Sequence, residues 1–199
     1  MRKIYANPII NINRIFFTIT VILMLSCQSD KALKEQYRQQ GKLIASESFQ
    51  ALSKALSNSM ITLGIQQSID FCHSRAYPIT DSLSAVYQAE VKRMALRNRN
   101  PENEADELAA QLINHYIQLK SENNDLTETD TIIRVSKDSY RYFKPILLQG
   151  QCLVCHGKPR EEIIDPVYTL ILEKYPNDNA INFGIGDVRG IWSISFKKP

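Results

Sequence analysis

The sequence predicts an α+β domain that follows a long helical segment. From Lys42 to about Ala76, apolar residues return at helical spacing. After residue 130 the pattern changes to short runs in which apolar and polar residues alternate, the period of strands. Only 7 glycines and 8 prolines punctuate the 199 residues, and there is no internal repeat or low-complexity tract. That composition suits one domain with a sizeable core.

Residues 28–40 are polar and begin the helical segment. Ile44, Phe49, Leu52, Leu56, Met60 and Leu63 then recur at three- to five-residue spacings, and Gly64 marks a kink or a break between two helices. At about 100° per residue, Ile61, Ile65, Ile69, Cys72 and Ala76 fall on one stripe, with His73 at its edge. Pro78 is expected to end this helix, with Thr80-Asp81-Ser82 capping a short one from about Ser82. Lys92 to Arg97 reads as a strand with Met94 and Leu96 on one face. Asn100 and Pro101 are expected to cap and open the next helix, and the acids Glu102, Glu104, Asp106 and Glu107 suit its first turns. Leu108, Leu112, His115 or Tyr116 and Leu119 carry its inner face, so His115 reads as an edge residue rather than a ligand. Thr131 to Val135 and Ser139 to Ile146 read as a hairpin turning at Lys137-Asp138. Pro166 opens a helix to Lys174, Ala180 to Gly190 is a loop, and Trp192, Ile194 and Phe196 alternate with serines in a half-buried last strand.

Between the hairpin and that helix lies Cys152-Leu153-Val154-Cys155-His156, a C-x-x-C-H sequence. This is the attachment pattern of a c-type haem. Two thiols three positions apart can add to the two vinyl groups, and the adjacent imidazole can become an axial iron ligand. Two other chemistries use a C-x-x-C pair: a structural zinc site and a dithiol redox centre. Compartment separates them, because haem is attached in this way outside the cytoplasm.

The N-terminus points to export. Arg2, Lys3 and Arg14 precede an apolar run from Ile15 to Leu25 that ends at Ser26-Cys27. The run is shorter than the about 20 residues a membrane span needs and fits a secretory signal. Ser26 before Cys27 resembles a bacterial lipoprotein signal, so Cys27 is the expected lipidation site and membrane anchor. Those three basic residues also supply the whole formal charge of +3: removing 3 from 24 leaves 21 basic against 21 acidic residues. The remainder is neutral and has no basic patch with interleaved aromatics, which excludes a nucleic-acid partner. There is no Ser-His-Asp or metal-protease motif, so no hydrolytic enzyme is expected.

The chain has four cysteines. With Cys27 lipidated and Cys152 and Cys155 on haem, Cys72 has no disulfide partner in an oxidising compartment. It is either a small buried core residue or the sixth ligand of the haem iron, with His73 as the runner-up for that position.

Several segments together resemble a known family, the single-haem c domains with a PAS-like fold that were long catalogued as a domain of unknown function. They are Ile69-Asp70-Phe71-Cys72, Arg99-Asn100-Pro101-Glu102-Asn103, Tyr142-Phe143-Lys144-Pro145-Ile146, the C-x-x-C-H stretch, Tyr175-Pro176-Asn177-Asp178-Asn179-Ala180 and Gly186-Asp187-Val188-Arg189-Gly190. One departure is Glu104 to Leu108, where the family usually has Pro and an aromatic. The resemblance implies a PAS-like antiparallel sheet flanked by helices, one covalently attached haem c, and an axial pair of His156 and Cys72. The expected organisation is a signal peptide over 1–26, a tether over 27–40 and the haem domain over 41–199. The expected function is that of an exported redox or small-gas (NO or CO) sensor without an output domain of its own, with an electron-transfer cytochrome as the alternative.

Overall fold

The computed structural model describes the backbone of residues 12–197 and the side chains of 30–70, 74 and 78–197. The side chains of Cys27, Cys72 and His73 therefore lie outside what the structure describes. The chain divides into two compact units, Met1–Gln36 and Tyr37–Pro199. The first carries the N-terminal part of helix α1 (Ile12–Leu63). Among the described residues no helix is long and apolar enough to cross a membrane.

Four antiparallel strands form one sheet: β1 (Glu90–Met94), β2 (Thr131–Ser136), β3 (Ser139–Leu147) and β4 (Val188–Lys197), in the order β1-β4-β3-β2. The sheet is flanked by α1, α2 (Ile65–Tyr87) and α3 (Glu107–Ser121), so the α+β class and the long N-terminal helix expected from the sequence are both present. The β2–β3 hairpin turns at Lys137-Asp138, as the alternation predicts.

Register assigns the two faces. Tyr140 pairs with Phe196 and Tyr142 with Ile194, so these four share one face of the sheet. Tyr37 of α1 stacks on Phe196 at 4.8 Å between ring centroids, and Ile44, Ala45 and Ser48 are buried on the same helix. On the opposite face, Phe143 and Ile191 pack with Ala109, Ile113 and Tyr116 of α3.

Helices on both faces correct the expectation for the last strand. Its alternation predicts a half-buried β4, yet Ser193 is 2% exposed. The strand lies in the middle of the sheet with helices on both sides, and the Ser193 hydroxyl is satisfied by Arg141 Nε at 2.6 Å. Arg141 in turn pairs with Asp106 at 2.6 Å.

Four other local expectations fail for physical reasons. Pro78 does not end a helix, because α2 runs through it to Tyr87 and no separate helix is capped near Ser82. Proline removes only the bond to the carbonyl of Ser74, and both residues are exposed, where water can satisfy that oxygen. The later turns of α2 are tied down instead: Val91 N–H donates to Ser84 Oγ at 3.0 Å. The predicted stripe also breaks. Ile61 is 82% exposed while Ile69 is 5% exposed. The helix stops at Gly64, whose φ of 86° resets the helical phase. Finally, Asn100 and Pro101 open only a three-residue 3-10 turn, with Asn100 accepting from Glu102 N–H. α3 begins later, where the Asp106 side chain accepts from Ala109 N–H at 2.9 Å. Leu96 lies beyond β1 and is exposed, because that strand ends at Met94.

Gly41 marks a close approach of α1 to the sheet: a Cβ there would clash with the Tyr142 ring. Helix propensity favours alanine over glycine by about 1 kcal/mol, whereas overpacking costs about 1–3 kcal/mol. Packing should prevail, because Tyr142 is fully buried and has nowhere to move. Gly41→Ala is expected to lower stability by about 1–2 kcal/mol in urea unfolding; a stabilised variant would show that α1 does not dock this closely.

Candidate functional site

β3 leads straight into the C-x-x-C-H stretch. The chain forms a 3-10 turn, Gly150–Cys152, and then a one-turn helix α4, Leu153–His156. Gly157 closes the turn through its N–H to Leu153 O at 2.8 Å. A Cβ at Gly157 would meet Glu162 at 2.7 Å and Leu153 O at 2.8 Å, so the sequence needs glycine here.

Each cysteine sits against a different apolar cluster. Cys152 and Leu153 pack on Leu148, Ala180 and Phe183. Cys155 packs with Ile69, Ile163, Val167 and Ile171, which join α2 to α5 (Asp165–Lys174). This holds the two thiols on one short turn from two sides.

Cys152, Cys155 and His156 all line one cavity of about 270 Å³, near the lower end of small-molecule clefts. Its roof is α1, through Phe49, Leu52, Leu56 and Met60. Its other walls include Ile69 of α2, Met94 of β1, Ile146 of β3 and Trp192 of β4. Helix α1 therefore has two tasks along its length: its earlier turns pack on the sheet, and its later turns roof a space.

His156 is held firmly. Its Nδ1 lies 2.7 Å from Ala180 O. A carbonyl can only accept, so Nδ1 carries the proton and Nε2 keeps the lone pair. Burial, together with the positive charges of Arg189 and Arg99, pushes the imidazole well below its usual pKa of 6.5, although the backbone bond acts in the other direction. The ring is thus neutral near pH 7, the form that ligates a metal.

The loop that supplies Ala180 O is itself fixed. Ala180 N–H donates to Asp178 Oδ1 at 2.9 Å, and Asp178 Oδ2 pairs with Arg99 Nη2 at 3.0 Å. The same Arg99 nitrogen donates to Cys155 O at 2.5 Å and has a longer contact of 3.5 Å to Ala180 O. Phe183 N–H returns to His156 O at 3.0 Å and Asn182 N–H to Gly157 O at 2.8 Å.

Local sequence patterns give no site role to Arg99, Asp178, Ala180 or Arg189. The available signal is that all four lie in the segments carrying the family resemblance. His115 is exposed on α3 and does not line the cavity. Among the described residues, no group of three or more His, Cys, Asp or Glu gathers to hold a metal ion, so the zinc alternative finds no complete ligand set there. Cys72 follows Ile69 by three positions in α2.

The model of the Tll0287-like family matches residues 26–197. This chain belongs to that family. Among solved structures, the crystal structure of the cyanobacterial heme-protein Tll0287 matches with a TM-score of 0.53 and 22% identity, covering 81% of this chain and 96% of that one. At that identity the match shows the Tll0287 fold. A search of the curated proteins finds no match.

The buried pair of Asp178 and Arg99 gives a direct test of this architecture, since their side chains are 0% and 15% exposed. Asp178→Ala leaves a buried guanidinium without its counter-charge and removes the acceptor that orients Ala180. It is expected to cost about 3–5 kcal/mol in denaturant unfolding; a loss below about 1 kcal/mol would mean that the loop is held by other contacts.

Proposed function

We propose that this chain is an exported single-haem c-type protein that acts as a redox or small-gas sensor. One observation carries the reading: Cys152, Cys155 and His156 share the wall of one apolar cavity, with His156 Nδ1 bonded to Ala180 O at 2.7 Å. Support also comes from the matching cyanobacterial structure, which is that of a heme-protein.

The residues present fit the group. The wall is mostly aliphatic and aromatic, the two thiols have the attachment spacing, and His156 Nε2 is the nitrogen left for iron. When bound, haem supplies an iron centre that exchanges one electron. Cys152 and Cys155 hold the group by thioether bonds. Ala180 O keeps the His156 ring in one tautomer and orientation. The apolar side chains of α1 exclude water.

Cys72 is proposed as the second axial ligand. It follows Ile69 of the cavity wall by one helical turn, and the family resemblance implies the same role. A thiolate opposite an imidazole favours ferric iron and lowers the potential. With His156 and Cys72 both held as ligands, the group would be suited to electron exchange or ligand-linked sensing. In a sensor Cys72 would be the exchangeable ligand, and α2, which carries it, would respond. α2 is a separate segment from α1, because Gly64 at φ 86° breaks the helix between them. Cys27 is proposed as the lipid anchor at the periplasmic or outer face of a membrane, with a separate protein receiving the signal.

Expressed with an exported haem-attachment system, the full chain is expected to keep its haem stain through denaturing electrophoresis. Cys152→Ala/Cys155→Ala should lose it. A colourless wild-type band would refute the reading.

The ligand and the class of function are tested together by optical spectra. Cys72→Ala should move the ferric spectrum to a high-spin or differently ligated form; an unchanged spectrum would exclude ligation. Reduced wild-type protein should then bind CO rapidly, whereas refusal of CO with fast reversible electron exchange would assign the chain to electron transfer.

A further inference from the structure

We propose that Arg99 and Arg189 form a carboxylate site in this cavity that binds the haem propionates; the inference rests on the haem reading above. Both side chains line the cavity, and the buried Nε of each has no hydrogen-bond partner. Leaving a buried donor of a charged group unmade is costly, and it occurs here twice in one cavity wall. The remaining contacts hold both guanidiniums in place without using those atoms. Arg99 Nη2 is occupied by Cys155 O and Asp178, and Arg189 Nη1 donates to Arg97 O at 2.9 Å while its guanidinium lies 5.3 Å from the centre of the Phe183 ring.

Charge points the same way. Among the described residues, Asp178 is the one carboxylate within ion-pair distance of either arginine. Two guanidiniums against one carboxylate leave an excess positive charge, and Arg93 and Arg97 add to the field at Arg189. Burial and those like charges push Arg189 down to about 10, with Asp178 acting against them. A group that is apolar in its body and anionic at one edge satisfies both halves of the cavity at once. Carboxylates suit the guanidinium fork, which binds them through paired N–H donors.

The site also adjoins the axial histidine. Arg99 touches the carbonyl of Cys155 and, at 3.5 Å, that of Ala180, which holds His156. Arg99 and Arg189 would therefore act as positioning residues for the group and as fixed positive charges near His156. Such charge favours the reduced state, because reduction removes one positive charge from the iron.

The test is the midpoint potential of the full-length haem-loaded protein. Arg189→Gln should lower it, with the reduction equilibrium weakened about tenfold, or about 59 mV. Arg189→Lys keeps the charge and loses the fork, so its potential should lie close to wild type. Arg99→Gln should also lower the potential; Arg99 contributes to folding, so the Arg189 pair decides the matter if that variant fails to fold. As a second readout, infrared difference spectra with haem labelled at the propionate carbons should show those carboxylate bands displaced in Arg189→Gln. Coloured Arg189→Gln protein with an unchanged potential and unmoved propionate bands would overturn this proposal and leave the haem reading standing. A colourless wild-type protein would overturn both.

Discussion

The carbonyl oxygen of Ala180 is the point on which the site depends. It accepts the Nδ1–H of His156 at 2.7 Å and so leaves Nε2 as the ligating nitrogen. A bare histidine on a short turn could adopt either tautomer and several ring angles. The carbonyl removes that freedom and burial keeps the ring neutral, so the imidazole is organised before any group enters. Ala180 is placed by Asp178, and Asp178 by Arg99, which also holds Cys155 O. The attachment turn and the loop opposite it thus share one hydrogen-bonded frame.

That frame is useful only because the sheet leaves space beside it. The two faces of β4 are covered differently. On one, α3 packs directly against Phe143 and Ile191. On the other, α1 packs closely where Gly41 meets Tyr142 and then continues over a cavity bounded by Phe49, Leu52, Leu56 and Met60. One apolar face can serve both tasks, because apolar burial is non-directional. The lining that would stabilise a core also suits the body of a flat apolar group.

The site is legible in the sequence to the extent that its chemistry is contiguous. Cys152, Cys155 and His156 lie within five positions, so their types and spacing are visible together. Arg99, Asp178, Ala180 and Arg189 are spread across the chain and are ordinary residues taken singly; contacts such as Arg99 to Asp178, 79 positions apart, make them one site. The local misreadings have the same origin. A rule for Pro78 cannot know that Ser74 and Pro78 are both exposed, and helical periodicity cannot count across Gly64, where the phase is lost.

The sequence by itself determined the elements whose signals are local: the helical periodicity of the N-terminal half, the Lys137-Asp138 hairpin, the helix opened by Pro166, and the C-x-x-C-H turn. Side-chain period, turn chemistry and fixed motif spacing are written in neighbouring residues. The tertiary structure decided what depends on distant partners. It put β4 in the middle of the sheet with both faces covered, turned the later part of α1 into a roof, and brought two arginines with unsatisfied Nε atoms to the wall beside His156. Those outcomes follow from burial and hydrogen bonding between segments as far apart as Tyr37 and Lys197, 160 positions along the chain, which no short window of the sequence contains.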